Sequence, residues 1–243
     1  MPRSGYPGTL LTVAPRATDS VDDLVAAAVN CERVGVSVVR VPAGPEAWLR
    51  EVVVGLREQT GLLVRLADVT GALDVAPDSA AVPLDGDWEA LVRLHTALRD
   101  LRIAPSFEIT DLEQVTVLRR LLDEHGLPVA ERVHVGLVLG NPGGSPGDAE
   151  TVVDAVRRLP DGATFSAAGL DGTTLPVMLA ALATGGHLRV GTADTADYAD
   201  GQPVRDDVQL VARAAGLAKI AQRPPLAVAE ARELLGVHSP VQV

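Results

Sequence analysis

Residues 185–195 read "GGHLRVGTADT" and bring His187, Arg189 and Asp194 into one short segment. An apolar run carries Arg189, and Asp194 follows it by five residues. A guanidinium held against a carboxylate keeps that carboxylate ionised and fixes its direction, while lowering its basicity unless burial offsets the effect. Such a pair can take a proton next to a carbonyl or bind a substrate carboxylate. It can also be a structural ion pair that closes a barrel, and the spacing taken alone favours that reading. Glu108, late in "IAPSFEI" (103–109), is a further carboxylate able to face the same space.

Other chemistries fit the residues less well. A catalytic zinc needs roughly three His, Asp, Glu or Cys ligands on convergent elements. The five histidines are His95, His125, His134, His187 and His238, with no His-x-His pair. His95 and His125 fall on or beside helical stretches, His238 lies in the tail, and His134 and His187 begin strands. The expectation is no metal site. Lys219, the only lysine, falls in a late helical stretch, which excludes a Schiff base in a barrel mouth. Cys31, the only cysteine, allows no internal disulfide and reads as a small buried hydrophobe. No G-x-S-x-G elbow occurs. Two Gly-rich loops remain. "SAAGLDGTT" (166–174) follows a strand and opens a helix, so Gly169, Gly172, Thr173 and Thr174 are candidates to bind an anion, with N–H groups free at Thr173 and Thr174. A tight turn with a helix cap is the alternative there, and the favoured reading for "LGNPGGSPGD" (139–148).

The elements that must position these residues alternate. Strands are expected at 8–14, 36–41, 62–68, 80–85, 103–109, 133–140, 164–169 and 187–191. Helical patterns fill 18–35, 44–61, 87–102, 110–126, 143–160, 173–186 and 203–222, and a short one closes at 226–236. Thr18 or Ser20 caps the first, Pro45 sits near the start of the second, and Thr110 with Glu113 forms a capping box for the fourth. Only "VTGALDVAPD" (69–78) is too short and broken for a helix. About eight strands, each followed by a helix, is the repeat of a (β/α)8 TIM barrel. A doubly wound open sheet is the alternative, but "TVAPRATDS" after the first strand is no Gly-rich fingerprint. Residues 1–243 read as a single barrel domain. Chemistry then belongs at the C-terminal strand ends, which draws in Thr12, Arg16, Arg40, Pro42, Arg65, Asp68, Asp85, Asn141 and Ser166 alongside Glu108, Arg189 and Asp194.

Composition agrees. Aromatics make up only 2% of the 243 residues, so the core must be aliphatic, as suits parallel strands buried on both faces. A net charge of −11 without a basic stripe excludes nucleic acid as a partner. No apolar run is long enough for a membrane span or a signal peptide, so a soluble, cytoplasmic protein is expected.

The stretch "FSAAGLDGTTLPVMLAALATGGHLRVGTADT", with "LVLGNPGGSPGDAETVVDAVRRLP" before it and "AEARELLG" after it, resembles the β-keto acid cleavage enzymes, the group of 3-keto-5-aminohexanoate cleavage enzyme. The N-terminal half follows more loosely through "TDSVDDLVAAAVNCERVGVSVVRV". The resemblance implies an oligomeric TIM barrel that exchanges a β-keto acid and acetyl-CoA for an acyl-CoA and acetoacetate. It implies a catalytic zinc and an Arg/Asp pair that takes the proton. The pair falls on Arg189 and Asp194, and a glutamate after the fifth strand falls on Glu108. The zinc ligands fall on Arg40, Pro42 and Ala193, none of which is a zinc ligand. The expectation is a zinc-free relative in which Arg40 takes part of the cation's role, with a keto acid and acetyl-CoA as substrates. The alternative is a barrel that binds a small acid or acyl-CoA without catalysis, or serves as a partner subunit.

Overall fold

Eight parallel strands close on themselves in the computed structural model of the chain, which describes residues 7–18, 20–68 and 73–237. They are β1 (Leu11–Val13), β2 (Val38–Val41), β3 (Leu63–Leu66), β4 (Ser79–Pro83), β5 (Ala104–Ile109), β6 (His134–Leu139), β7 (Thr164–Gly169) and β8 (His187–Val190). Each pairs with the next, and β8 returns to β1 with Thr12 opposite Arg189. That closure is the expected (β/α)8 barrel and removes the open sheet. The helices are α1 (Val21–Glu32), α2 (Glu46–Gln59), α3 (Trp88–Asp100), α4 (Gln114–His125), α5 (Ala149–Arg158), α6 (Thr174–Ala183), α7 (Asp207–Ile220) and α8 (Val228–Leu235). Among the described residues between β3 and β4 there is a 3-10 turn, Leu73–Val75, and no α-helix. A small hairpin, β9 (Asp197–Ala199) with β10 (Gln202–Pro203), precedes α7. The sequence pattern assigns these residues no strands.

Local chemistry starts the helices. Ser20, Asp87, Asp148 and Asp206 each accept a backbone N–H three residues on, satisfying a donor the helix itself cannot. At α4 the expected Thr110/Glu113 box shifts by one residue. Gln114 Oε1 accepts from the N–H of Thr110 at 2.8 Å and of Asp111 at 3.2 Å. Glu113 instead turns outward to Arg158.

Strand alternation sorts the barrel into two environments. Outward-facing Val39, Val64, Val82, Phe107, Val135, Phe165 and Leu188 form the aliphatic core with the helices. Inward-facing Leu10, Val38, Leu63 and Ala104 lie at the N-terminal end and pack on Ala231, Leu234 and Leu235 of α8. α8 therefore plugs the barrel floor. Higher inside, the side chains become polar: Thr12, Arg65, Ser79, Ser106, His134, Ser166 and His187 are all buried. Among the described residues, no helix is long and apolar enough to cross a membrane.

The plug is a stability element. Leu234 is 1% exposed, and Leu234→Ala should cost about 2–5 kcal/mol through lost transfer energy and a residual cavity. Urea unfolding at neutral pH measures this, and a change below about 1 kcal/mol would show that the floor does not depend on α8.

Candidate active site

Arg40, Glu108 and Arg189 stand near the C-terminal ends of β2, β5 and β8, and alternation turns all three inward. Arg40 grips Glu108 with two bonds, Nε to Oε1 and Nη2 to Oε2, each 3.1 Å. Arg189 Nη1 donates to the same Oε1 at 3.0 Å. The other edge of Arg189 holds Asp194, through Nε to Oδ2 at 3.2 Å and Nη2 to Oδ1 at 2.5 Å. One continuous chain of charge, Arg40–Glu108–Arg189–Asp194, thus lies across the mouth.

The loop after β8 is built to deliver Asp194. A Cβ on Gly191 would sit 2.0 Å from the Ala14 carbonyl oxygen, so only glycine lets the loop pass this close to the strand-one end. Asp207, at the start of α7, takes the N–H of Thr192 at 2.7 Å and its hydroxyl at 3.2 Å. The Asp194 carbonyl accepts from the Asp171 N–H at 2.9 Å. Asp194 ends up 5% exposed.

Burial and charge oppose each other here. Burial pushes Glu108 upward, but the guanidinium groups of Arg40 and Arg189 outweigh it and hold the carboxyl below its usual range. Burial also pulls Arg189 down, and Asp194 with Glu108 more than restores it. Arg40 is lowered by burial and by the neighbouring charge of Arg189. Arg65, on β3 and 3% exposed, is lowered to about 10 by burial, so it stays charged at neutral pH. Its Nε donates to Ser79 Oγ at 3.2 Å. His134 and His187 are pushed down by burial, His187 to about 3, so both are neutral. The guanidinium groups of Arg40, Arg65 and Arg189 all feel the Glu108 carboxylate.

The structure brings together Arg40, Glu108, Arg189 and Asp194. It does not bring the anion-loop candidates to them. Thr173 N–H donates to the Leu170 carbonyl at 3.0 Å, and Thr174 N–H to that of Asp171. Their hydroxyls bond Leu170, Gly169 and Asp171 carbonyls. The N–H groups expected to be free are spent inside the turn. Gly169 is required because a Cβ would meet the Thr173 carbonyl oxygen at 2.3 Å, while Gly172 makes no close approach. "SAAGLDGTT" is a self-bonded turn and cap, and so is the second loop, where Gly140 and Gly144 bond Ser145 and Asn141. Arg65 was only one strand-end position among many in the sequence.

Zinc does not fit these residues. Pro42 and Ala193 have no side-chain donor atom, and Arg40 is a cation engaged with Glu108. Among the described residues, no three His, Cys, Asp or Glu side chains gather to hold a metal ion. Lys219 is exposed on α7. Cys31 is buried, and burial followed by Asp207 raises its thiol to about 12, which rules it out as a nucleophile at neutral pH. His238 lies outside the described residues.

Comparison with known proteins follows the same line. The sequence profile of the beta-keto acid cleavage enzymes matches residues 70–237. The 3-keto-5-aminohexanoate cleavage enzyme of Acetoanaerobium sticklandii is 28% identical over 135 residues, 56% of this chain and 49% of that protein. The 3-oxoadipate:acetyl-CoA acetyltransferase of Cupriavidus necator is 26% identical over 186 residues, 75% of this chain and 65% of that protein. The chain thus spans less than two thirds of either relative. Among solved structures, the apo structure of ObcA aligns with a TM-score of 0.71 at 14% identity, over 90% of this chain and 65% of that one, which shows a shared fold.

The network has a pH signature. The folded-state pKa of Glu108 lies below the ordinary 4.5, so its stabilising contribution is complete above that pH and disappears as pH falls through the lowered value. Glu108→Gln takes from Arg40 its carboxylate and from Arg189 one of its two, and should cost about 3–5 kcal/mol at pH 7. The gap to the wild type should close as urea unfolding is repeated below pH 4.5. A gap that stays constant into that range would contradict the assignment.

Proposed function

Because this chain belongs to the beta-keto acid cleavage enzyme family, we propose that it exchanges the acyl group of a β-keto acid with acetyl-CoA, and does so without zinc. The carrying observation is the continuous Arg40–Glu108–Arg189–Asp194 network at the barrel mouth. The names of the relatives supply the substrate classes, a keto acid and acetyl-CoA.

Asp194 is the candidate base. It removes a proton from the carbon next to the keto group, and Arg189 keeps it aimed. Negative charge then grows on the keto oxygen. Arg40, fixed where the resemblance puts a metal ligand, supplies positive charge to that oxygen. A guanidinium does this less strongly than a divalent metal, but its planar fork also orients a carboxylate. Glu108 acts as a positioning residue, because it holds both arginines. The carbanion attacks the acetyl thioester, and CoA departs and accepts the acyl fragment when the original C–C bond breaks. The products are acyl-CoA and acetoacetate.

One feature favours a second reading, in which the barrel binds a small acid or acyl-CoA without turnover. Both oxygens of Asp194 already accept from Arg189, so taking a substrate proton means giving up one of those bonds.

An assay with 3-oxoadipate or 3-keto-5-aminohexanoate plus acetyl-CoA, read as acyl-CoA and acetoacetate by mass spectrometry, separates the readings. Turnover with a loss in kcat of about 100-fold or more in Asp194→Asn supports exchange. Calorimetric binding with no product from either acid supports the second reading and defeats the first. Stoichiometric zinc in the purified, active protein would overturn the zinc-free mechanism.

A further inference from the structure

Among the α-helices of the described residues, α6 alone carries no charged residue, and "TLPVMLAALA" is apolar around its circumference. A helix apolar on every side belongs where every side is covered. The inner side of α6 packs on β7 and β8, with Val177, Met178 and Ala181 buried. The outer side is bare: Leu175 is 42% exposed and Leu179, one turn on, 48%. α7 packs beside it, and Arg213 of α7 shares a cleft with Leu175 and Pro176. Gly216 and Ile220 follow Arg213 at helical spacing and so lie on the same side. Ile220 is 77% exposed. A Cβ on Gly216 would meet nothing within 4 Å, so the chain's own packing does not require this glycine, which weakens the helix relative to alanine.

Charge identifies what covers the face. The chain carries −11, so a second copy is repelled wherever acids predominate. Around α6 the charges are sorted by end. At the mouth end, exposed Asp171, Asp197 and Asp200 line the first cleft, and the Arg213 beside them donates to the Tyr198 carbonyl. At the floor end, Arg157 and Arg223 line a second cleft with Leu182 and Ala183. Exposed Lys219 stands in the last turn of α7, close to Ala221 of that cleft. A two-fold axis that runs α6 against the α6 of another copy, in opposite directions, sets each acidic end on a basic one. The uncharged row of Leu175, Leu179 and Ala183 then meets its own copy between them. A face acidic at one end, basic at the other and apolar in the middle is complementary to itself, and this selects a copy of the chain over a foreign partner.

We propose that two copies of this chain dock through the outer face of α6, with Gly216 and Ile220 of α7, antiparallel about a two-fold axis. The interface stands whether or not the mouth exchanges acyl groups.

Sedimentation velocity of the full chain over about a hundredfold range of concentration tests this. The wild type should run at twice the chain mass or more at the upper end. Leu179→Asp should weaken the assembly by about 100-fold or more. Two double variants, Asp197→Lys with Asp200→Lys and Arg157→Glu with Lys219→Glu, should each self-associate about tenfold more weakly, because like charges then meet at both contacts. Mixed in equal amounts, these two should pair about as strongly as the wild type, since every contact is again acid on base. A wild type that stays monomeric throughout overturns the proposal, and so does an assembly that Leu179→Asp leaves intact. No preferential pairing in the mixture overturns the antiparallel arrangement. Should Leu179→Asp fail to fold by circular dichroism, the charge variants, all at exposed positions, decide, and an assembly indifferent to both sinks the idea.

Discussion

A single carboxylate, Glu108, holds the mouth of this barrel together. Arg40 and Arg189 stand on strands that flank β1, so their like charges are driven toward each other. Glu108 reaches in from β5, across the barrel, and binds both. Only long side chains can meet over that span, and the network consists of two arginines and a glutamate. Thr12, on the strand between the two arginines, is short enough to leave them room. Remove the negative charge, and two guanidinium groups face each other in a desolvated space. Keep it, and their directions are fixed, with Asp194 held at the far edge of Arg189.

The rest of the fold isolates this arrangement. The aliphatic core lies outside the barrel, between strands and helices. The polar residues are gathered inside, where water is excluded, which makes the interior costly unless its polar groups are hydrogen-bonded and its charges matched. α8 and the lowest inward side chains close the floor and exclude water, and Glu108 with Asp194 supplies the negative charge at the mouth. Neutral histidines fit this scheme. His134 bonds Thr164 at 2.9 Å and Ser166 at 3.0 Å, and Arg65 adds to the burial that keeps its ring uncharged. Protonating His134 would add a cation beside Arg65, and protonating His187 one near Arg223.

The alternation of strands and helices was legible in the sequence because its period is local, and seven of the barrel's helical connections follow patterns visible in single stretches. Arg189, Asp194 and Glu108 were legible for a different reason, since each sits at a strand end where a barrel directs chemistry. The contacts among them were not. Nothing in "VVRV" says that Arg40 takes Glu108, sixty-eight residues on, because strand register and side-chain reach decide it. The threonine loop misled in the opposite way. Free N–H groups are the ordinary state of a helix start, and only the tight 3-10 turn of Asp171–Thr173 spends them. The box at α4 slipped by one residue because Gln114 reaches two N–H groups at once. Arg65 was hidden by its neighbours, since an arginine in an apolar run gives no sign of whether it snorkels outward or lies within.

An arginine where the resemblance puts a metal ligand would change which chemistry a mouth can support, not only how strongly. A divalent cation both attracts developing negative charge and acidifies bound water. A guanidinium does the first and not the second, because it has no open coordination position and does not lose its proton near neutrality. Hydrolysis by a metal-bound hydroxide is therefore foreign to Arg40. Enolate formation is not, since it requires a base and a fixed positive charge at the oxygen. Arg40 also differs from a metal in needing a partner of its own, because an unpaired buried guanidinium is unstable. Glu108 meets that need and, in doing so, ties the charge at Arg40 to the orientation of Arg189 and Asp194. In the proposed exchange the base and the electrophilic charge are thus not independent parts. A substrate carboxylate or enolate that draws Arg40 toward itself loosens its hold on Glu108, and the same carboxylate then turns more fully to Arg189.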